Sequence, residues 1–90
     1  TNLVLLEENK SVESTVDFTG EVEGYKIIIT EADNYVFNKA VSVYSMDKTL
    51  IKNLTEFEAI ELSEGEYIVV YNHLHTIVGH TSYLLYRKQN

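Results

Sequence analysis

The sequence predicts an all-β fold: a two-sheet antiparallel sandwich, jelly-roll-like in its connections, made of eight or nine short strands in a single domain over residues 1–90. Three observations lead there. Apolar side chains recur at every second position in short runs, those runs are rich in β-branched and aromatic residues, and breaks carrying Gly, Asn or Asp return at intervals of roughly ten residues. No stretch carries a convincing helical stripe; the nearest is Leu54 to Glu61, where a strand is the stronger reading. Strands with one apolar face need a second layer to bury it, so this pattern calls for two packed sheets.

Leu3 to Glu7 is a short apolar strand, and Glu8-Asn9-Lys10-Ser11 is the polar break after it. Ser14 to Phe18 alternates, with Val16 and Phe18 sharing a face. A glycine- and glutamate-containing segment, Thr19 to Gly24, leads into a strong strand in which Tyr25, Ile27 and Ile29 face one way. Ala32-Asp33-Asn34 reads as a tight turn into Tyr35 to Phe37, which predicts a hairpin. Val41 to Ser45, the turn Met46-Asp47-Lys48-Thr49 and a return from Leu50 predict another.

Glu56 to Leu62 is the next strand. Ile60 to Tyr71 then reads as the clearest hairpin of the chain, with Ile60 and Leu62 on one arm, Tyr67, Val69 and Tyr71 on the other, and Gly65 supplying a positive φ in between. A loop from Asn72 to Thr81 precedes the last strand, Ser82 to Arg87, where Tyr83 and Leu85 share a face.

Composition bounds the function. Ninety residues with 44% hydrophobic and 23% charged side chains suit one small folded domain. The absence of cysteine removes disulfides, thiol catalysis and thiolate zinc sites. A net charge of −7, with its lysines scattered, repels phosphate backbones and anionic headgroups, so neither nucleic acid nor a membrane is expected as a partner. The apolar runs are far shorter than the ~20 residues of a spanning helix. Thr1 is not followed by a basic segment and an apolar stretch, so no signal peptide is read here; a mature product or an excised domain would look the same.

Gly24-Tyr25-Lys26-Ile27-Ile28-Ile29, then Val41 to Ile51 with its Asp-containing turn, then Leu62-Ser63-Glu64-Gly65-Glu66-Tyr67-Ile68-Val69-Val70-Tyr71 followed by Ser82-Tyr83-Leu84-Leu85-Tyr86, occur in an order that resembles the bacterial pre-peptidase C-terminal domain. The resemblance covers about Ser14 to Arg87. It implies a jelly-roll-like β-sandwich and a non-catalytic accessory or binding module of an exported bacterial protein, secreted or at the cell surface, assisting secretion, attachment or substrate engagement. Gly24 stands where the family usually has an acidic residue, and Lys48 where its hairpin usually has Gly, so a calcium site described for relatives does not carry over.

His73, His75 and His80 are the only histidines and lie close together. An extended segment would put His73 and His75 on one side, with His80 returning near Gly79, a set suited to Zn²⁺, Ni²⁺ or Cu²⁺. No carboxylate follows to orient a ring, and no metal or other cofactor is expected. Glu21, Glu23, Glu56, Glu58, Glu61, Glu64 and Glu66 read as solvated strand faces, since compact calcium loops favour Asp and Asn. No nucleophile elbow and no selectively perturbed carboxylate pair is present, so an enzyme is not expected.

The seven tyrosines divide by alternation. Tyr25, Tyr67 and Tyr83 are expected inside; Tyr44, Tyr71 and Tyr86 are expected to be partly exposed and are the candidate contacts for a protein or polysaccharide surface. The alternative role is a stand-alone small acidic inhibitor or interaction domain that meets a basic partner through its glutamates. Unpaired strand edges make either a monomer or a weak homodimer the expected state.

Overall fold

The computed structural model describes residues 3–15, 23–71 and 81–90. They are all-β, with ten strands and no helix among the described residues. In chain order the strands are β1 (Val4–Leu5), β2 (Val12–Thr15), β3 (Glu23–Ile29), β4 (Asp33–Phe37), β5 (Val41–Ser45), β6 (Leu50–Leu54), β7 (Ile60–Leu62), β8 (Gly65–Tyr71), β9 (Thr81–Leu84) and β10 (Tyr86–Lys88). They form a five-stranded sheet in the order β1-β3-β8-β5-β6, a three-stranded sheet β10-β4-β7 and a two-stranded sheet β2-β9. All pairs are antiparallel except β1 with β3.

The stretch from Ile60 to Tyr71 is not a hairpin. Its first arm, β7, pairs with β4, whereas its second arm, β8, runs between β3 and β5. Ser63 and Glu64 therefore carry the chain from one sheet to another. The reason is pairing length: β8 matches β3 from Glu23↔Tyr71 to Ile29↔Gly65, along its whole seven residues, while β7 has only three to offer. Gly65 does take a positive φ, 148°. No atom lies within 4 Å of a Cβ built there, so glycine is needed for the backbone angle and not for space.

The expected hairpin around Ala32 to Asn34 is likewise a crossing. β3 stays in the five-stranded sheet and β4 joins the three-stranded one. The two crossings lie side by side, because Ile29 pairs with Gly65 on one sheet and Asp33 with Leu62 on the other. The Tyr35 hydroxyl donates to the Glu31 carbonyl at 2.7 Å, and the Tyr67 hydroxyl to the Ser63 carbonyl at 2.9 Å.

The third expected hairpin, β5 with β6, forms as read. Lys48 N–H donates to Ser45 O and Ser45 N–H to Thr49 O, both at 2.9 Å, and Lys48 has φ 70°. This is a type I turn closed by a left-handed residue, the place that favours glycine. Asp47 accepts from the Ser45 hydroxyl and, at 3.1 Å, from Thr49 N–H. Those hydrogen bonds, led by the Ser45 hydroxyl, hold its carboxyl below the ordinary range.

Between β6 and β7 the expected strand is shorter than its alternation suggests. Thr55 to Glu58 is a turn in which Glu58 accepts from Thr55 N–H at 3.0 Å, and Phe57, at φ 59°, donates its N–H to Phe37 O at 2.8 Å.

One apolar core receives side chains from all three sheets: Tyr25, Ile27, Val43 and Val69 from the first, Tyr35, Phe37, Leu62 and Tyr86 from the second, and Leu84 from the third. Tyr86 stacks on Phe37 at 5.4 Å between ring centroids. Tyr35, Val36 and Phe37 are buried in succession, as in a strand covered on both faces.

Candidate functional site

The structure separates the three candidate tyrosines. Tyr71 and Tyr86 are 3% and 2% exposed, so the partial exposure expected of them is corrected: both rings belong to the core. Tyr71 shares the inward face of β8 with Val69, as strict alternation from a buried valine requires. Tyr86 faces inward because it lies two residues from the buried Leu84, and the facing alternates unchanged across the break between the last two strands at Leu85. Asn38 fills that break, its amide donating to Tyr83 O and its carbonyl accepting Leu85 N–H, each at 2.8 Å. Leu84 and Tyr86 point into the core, and Tyr83, expected inside, is 53% exposed. Tyr67 is half-buried and Tyr25 fully buried.

Tyr44 stays at the surface, and its surroundings define the site. Because Tyr25, Ile27, Val43 and Val69 face the core, the residues between them lie on the outer face of the five-stranded sheet. The register aligns Leu5 with Lys26, Lys26 with Ile68, Ile68 with Tyr44 and Tyr44 with Leu50, one row crossing all five strands. At the usual strand spacing such a row is about 19 Å long. A second row runs Gly24, Val70, Ser42, Asn53, where the Ser42 hydroxyl donates to the Asn53 side-chain carbonyl.

Leu3 lies over Gly24, whose missing Cβ would sit 2.8 Å from a Leu3 methyl. That gives the glycine a local reason at the position where the resembled family has an acid. Leu5, Ile28 and Leu50 are exposed, while Ile68, Val70 and Tyr44 are half-buried. The row's one charge, Lys26, is neutralised by Glu66 on the neighbouring strand. The Tyr44 hydroxyl has no hydrogen bond among the described residues.

The outer face was legible in part. Ile27-Ile28-Ile29 and Ile68-Val69-Val70-Tyr71 are continuous apolar runs, and a strand that is apolar at every position has two faces to cover. Reading them only for alternation hid Ile28, Ile68 and Val70. Phe57, exposed at the tip of its turn, was hidden by its assignment to a strand.

Where the outer face meets the three-stranded sheet there is a groove of about 240 Å³, lined by Leu5, Leu6, Ile28, Glu7, Glu8 and Tyr86. Burial, and next the nearby Glu8 carboxylate, push the Tyr86 phenol up to about 12. Glu7 is held by Lys10 at 2.8 Å. A second groove, about 310 Å³, lies along the paired crossings and is lined by Asp33, Asn34, Glu61 and Ser63.

His73, His75 and His80 fall outside the described residues, and so does most of the loop proposed with them. Among the described residues no three metal-binding side chains gather. Compared with known protein families and with curated proteins, the chain matches none.

Proposed function

We propose that this chain is a non-catalytic binding module that docks a partner protein on the outer face of its five-stranded sheet. The observation that carries the reading is the five-strand row Leu5, Lys26, Ile68, Tyr44, Leu50, apolar or aromatic at every position but the paired lysine. A sheet face of this kind is broad and open. It suits a protein surface better than a small substrate, which binds in concave sites. Tyr44 supplies a half-buried ring with a hydroxyl left to bond a partner.

The finer architecture fits this role as a jelly-roll-like sandwich: one core is fed by all three sheets, and β2 with β9 adds a small third sheet to the two larger ones. That the host is an exported bacterial protein, and the module an accessory one, rests on the sequence resemblance alone. The test is capture of secreted proteins by the immobilised domain, comparing wild type with Tyr44→Ala and Ile68→Lys while melting temperature is monitored. Loss of capture with unchanged melting supports the reading; equal capture by all three ends it.

A further inference from the structure

Beyond the sheet face, the groove beside β1 has a chemistry of its own. One wall is aliphatic, from Leu5, Leu6 and Ile28. The other carries Glu7 and Glu8, and Thr30 and Tyr86 complete the lining. Tyr86 is 2% exposed, yet its hydroxyl has no hydrogen-bond partner among the described residues. A buried phenol left without a partner is costly, and such groups are normally satisfied. Glu8 is half-buried and acts on the Lys88 ammonium only through space, its carboxylate making neither a hydrogen bond nor an ion pair among the described residues, in contrast to Glu7 with Lys10 and Glu31 with Lys88. An apolar trough that ends in an open carboxylate and an unsatisfied hydroxyl is complementary to an apolar stem that ends in a cation.

We propose that this groove receives the side chain of a lysine from a partner protein, its methylene stem against Leu5, Leu6 and Ile28 and its ammonium between the Glu8 carboxylate and the Tyr86 hydroxyl. Lysine fits better than arginine because one carboxylate and one phenol oxygen offer separate acceptors to a compact ammonium, not the paired, coplanar acceptors that a guanidinium fork uses. The chain's net charge of −7 favours a basic partner in the same sense. The site does not depend on docking at the Tyr44 row.

The probe is Nα-acetyl-lysine methylamide, titrated into the ¹⁵N-labelled chain at neutral pH while amide resonances of residues 5–8 and 28–30 are followed. A single side chain should bind with a Kd of about 1–10 mM, and the norleucine analogue, with the same stem and no charge, at least about tenfold more weakly. Glu8→Gln should weaken binding about fivefold or more, and Tyr86→Phe about threefold, as lost charge-assisted hydrogen bonds would. Tyr86→Phe should also melt at the same or a higher temperature, since it deletes a hydroxyl that has no partner. The proposal is overturned if shifts do not saturate, if the norleucine analogue binds equally, if both variants bind like wild type, or if Tyr86→Phe clearly lowers the melting temperature.

Discussion

Tyr35 and Tyr67 make the same hydrogen bond at two different places: each hydroxyl reaches back to the carbonyl four residues upstream, Glu31 at 2.7 Å and Ser63 at 2.9 Å. Both bonds sit where the chain leaves one sheet for another. The crossings are adjacent, with Ile29 paired to Gly65 and Asp33 to Leu62, so the two tyrosines fix the same seam of the molecule from both sides. A tyrosine tying down the upstream backbone in this way is a known device at sandwich corners.

The two bonds should not be worth the same. Tyr35 is fully buried, whereas Tyr67 is only half-buried and its hydroxyl also contacts the Ser63 hydroxyl at 3.1 Å. Tyr35→Phe is expected to cost about 1–2 kcal/mol and Tyr67→Phe about 0.5 kcal/mol, by the usual worth of a buried against an exposed hydrogen bond. Urea unfolding of both variants checks the order; a larger loss at Tyr67 would contradict it.

Lys48 and Gly65 form a mirrored pair of backbone tests. Gly65 at φ 148° should lose about 1–3 kcal/mol on substitution by alanine, since L-residues avoid that region. Lys48 at φ 70° already bears such a strain, and Lys48→Gly should stabilise the hairpin by about 0.5–1 kcal/mol once the greater freedom of glycine in the unfolded chain is deducted. Thermal melts of the two single variants should move in opposite directions.

Alkali should unfold the chain through its buried phenols. Burial raises the pKa of both Tyr35 and Tyr86, the latter from 10.0 to about 12. Below pH 10 the folded and unfolded states both keep these protons, and stability is unaffected. Between 10 and about 12 the unfolded chain releases the Tyr86 proton while the folded chain holds it, so stability falls as pH rises. Tyr86→Phe should therefore lose less stability than wild type between about pH 9 and pH 11.5, read from urea midpoints.

The contrast between strands and their partners explains what the sequence told and what it withheld. Tyr25, Ile27 and Ile29 were readable as a core face because period-two alternation is a local property of the strand. Which strand lies beside which is not local: Leu62 and Gly65 are separated by two residues and belong to different sheets, and nothing in Ser63-Glu64 distinguishes a crossing from a hairpin turn. The Met46 to Thr49 hairpin was read correctly because its short loop joins two strands of equal length. At the end of the chain, Leu84 and Tyr86 face inward and Tyr83 faces out, a choice between two equally alternating faces that depends on strands far away in sequence and so leaves no local trace. The outer face was similarly masked, since Ile28 and Val70 look like extra core residues until the register shows them beside Glu66 and Ser42.

The β5–β6 pair is the one hairpin between consecutive strands among the described residues. Every other ladder waits for distant chain segments to meet, the extreme being Val12 with Leu84. Folding dominated by such closures runs in milliseconds to seconds, not microseconds. During that interval Ile27 to Ile29 and Ile68 to Tyr71 have no partners, and these β-branched runs are the segments through which newly made chains would stick to one another. The same runs that supply both the core and the outer face of the five-stranded sheet thus make the protein's synthesis the stage at which it is most vulnerable.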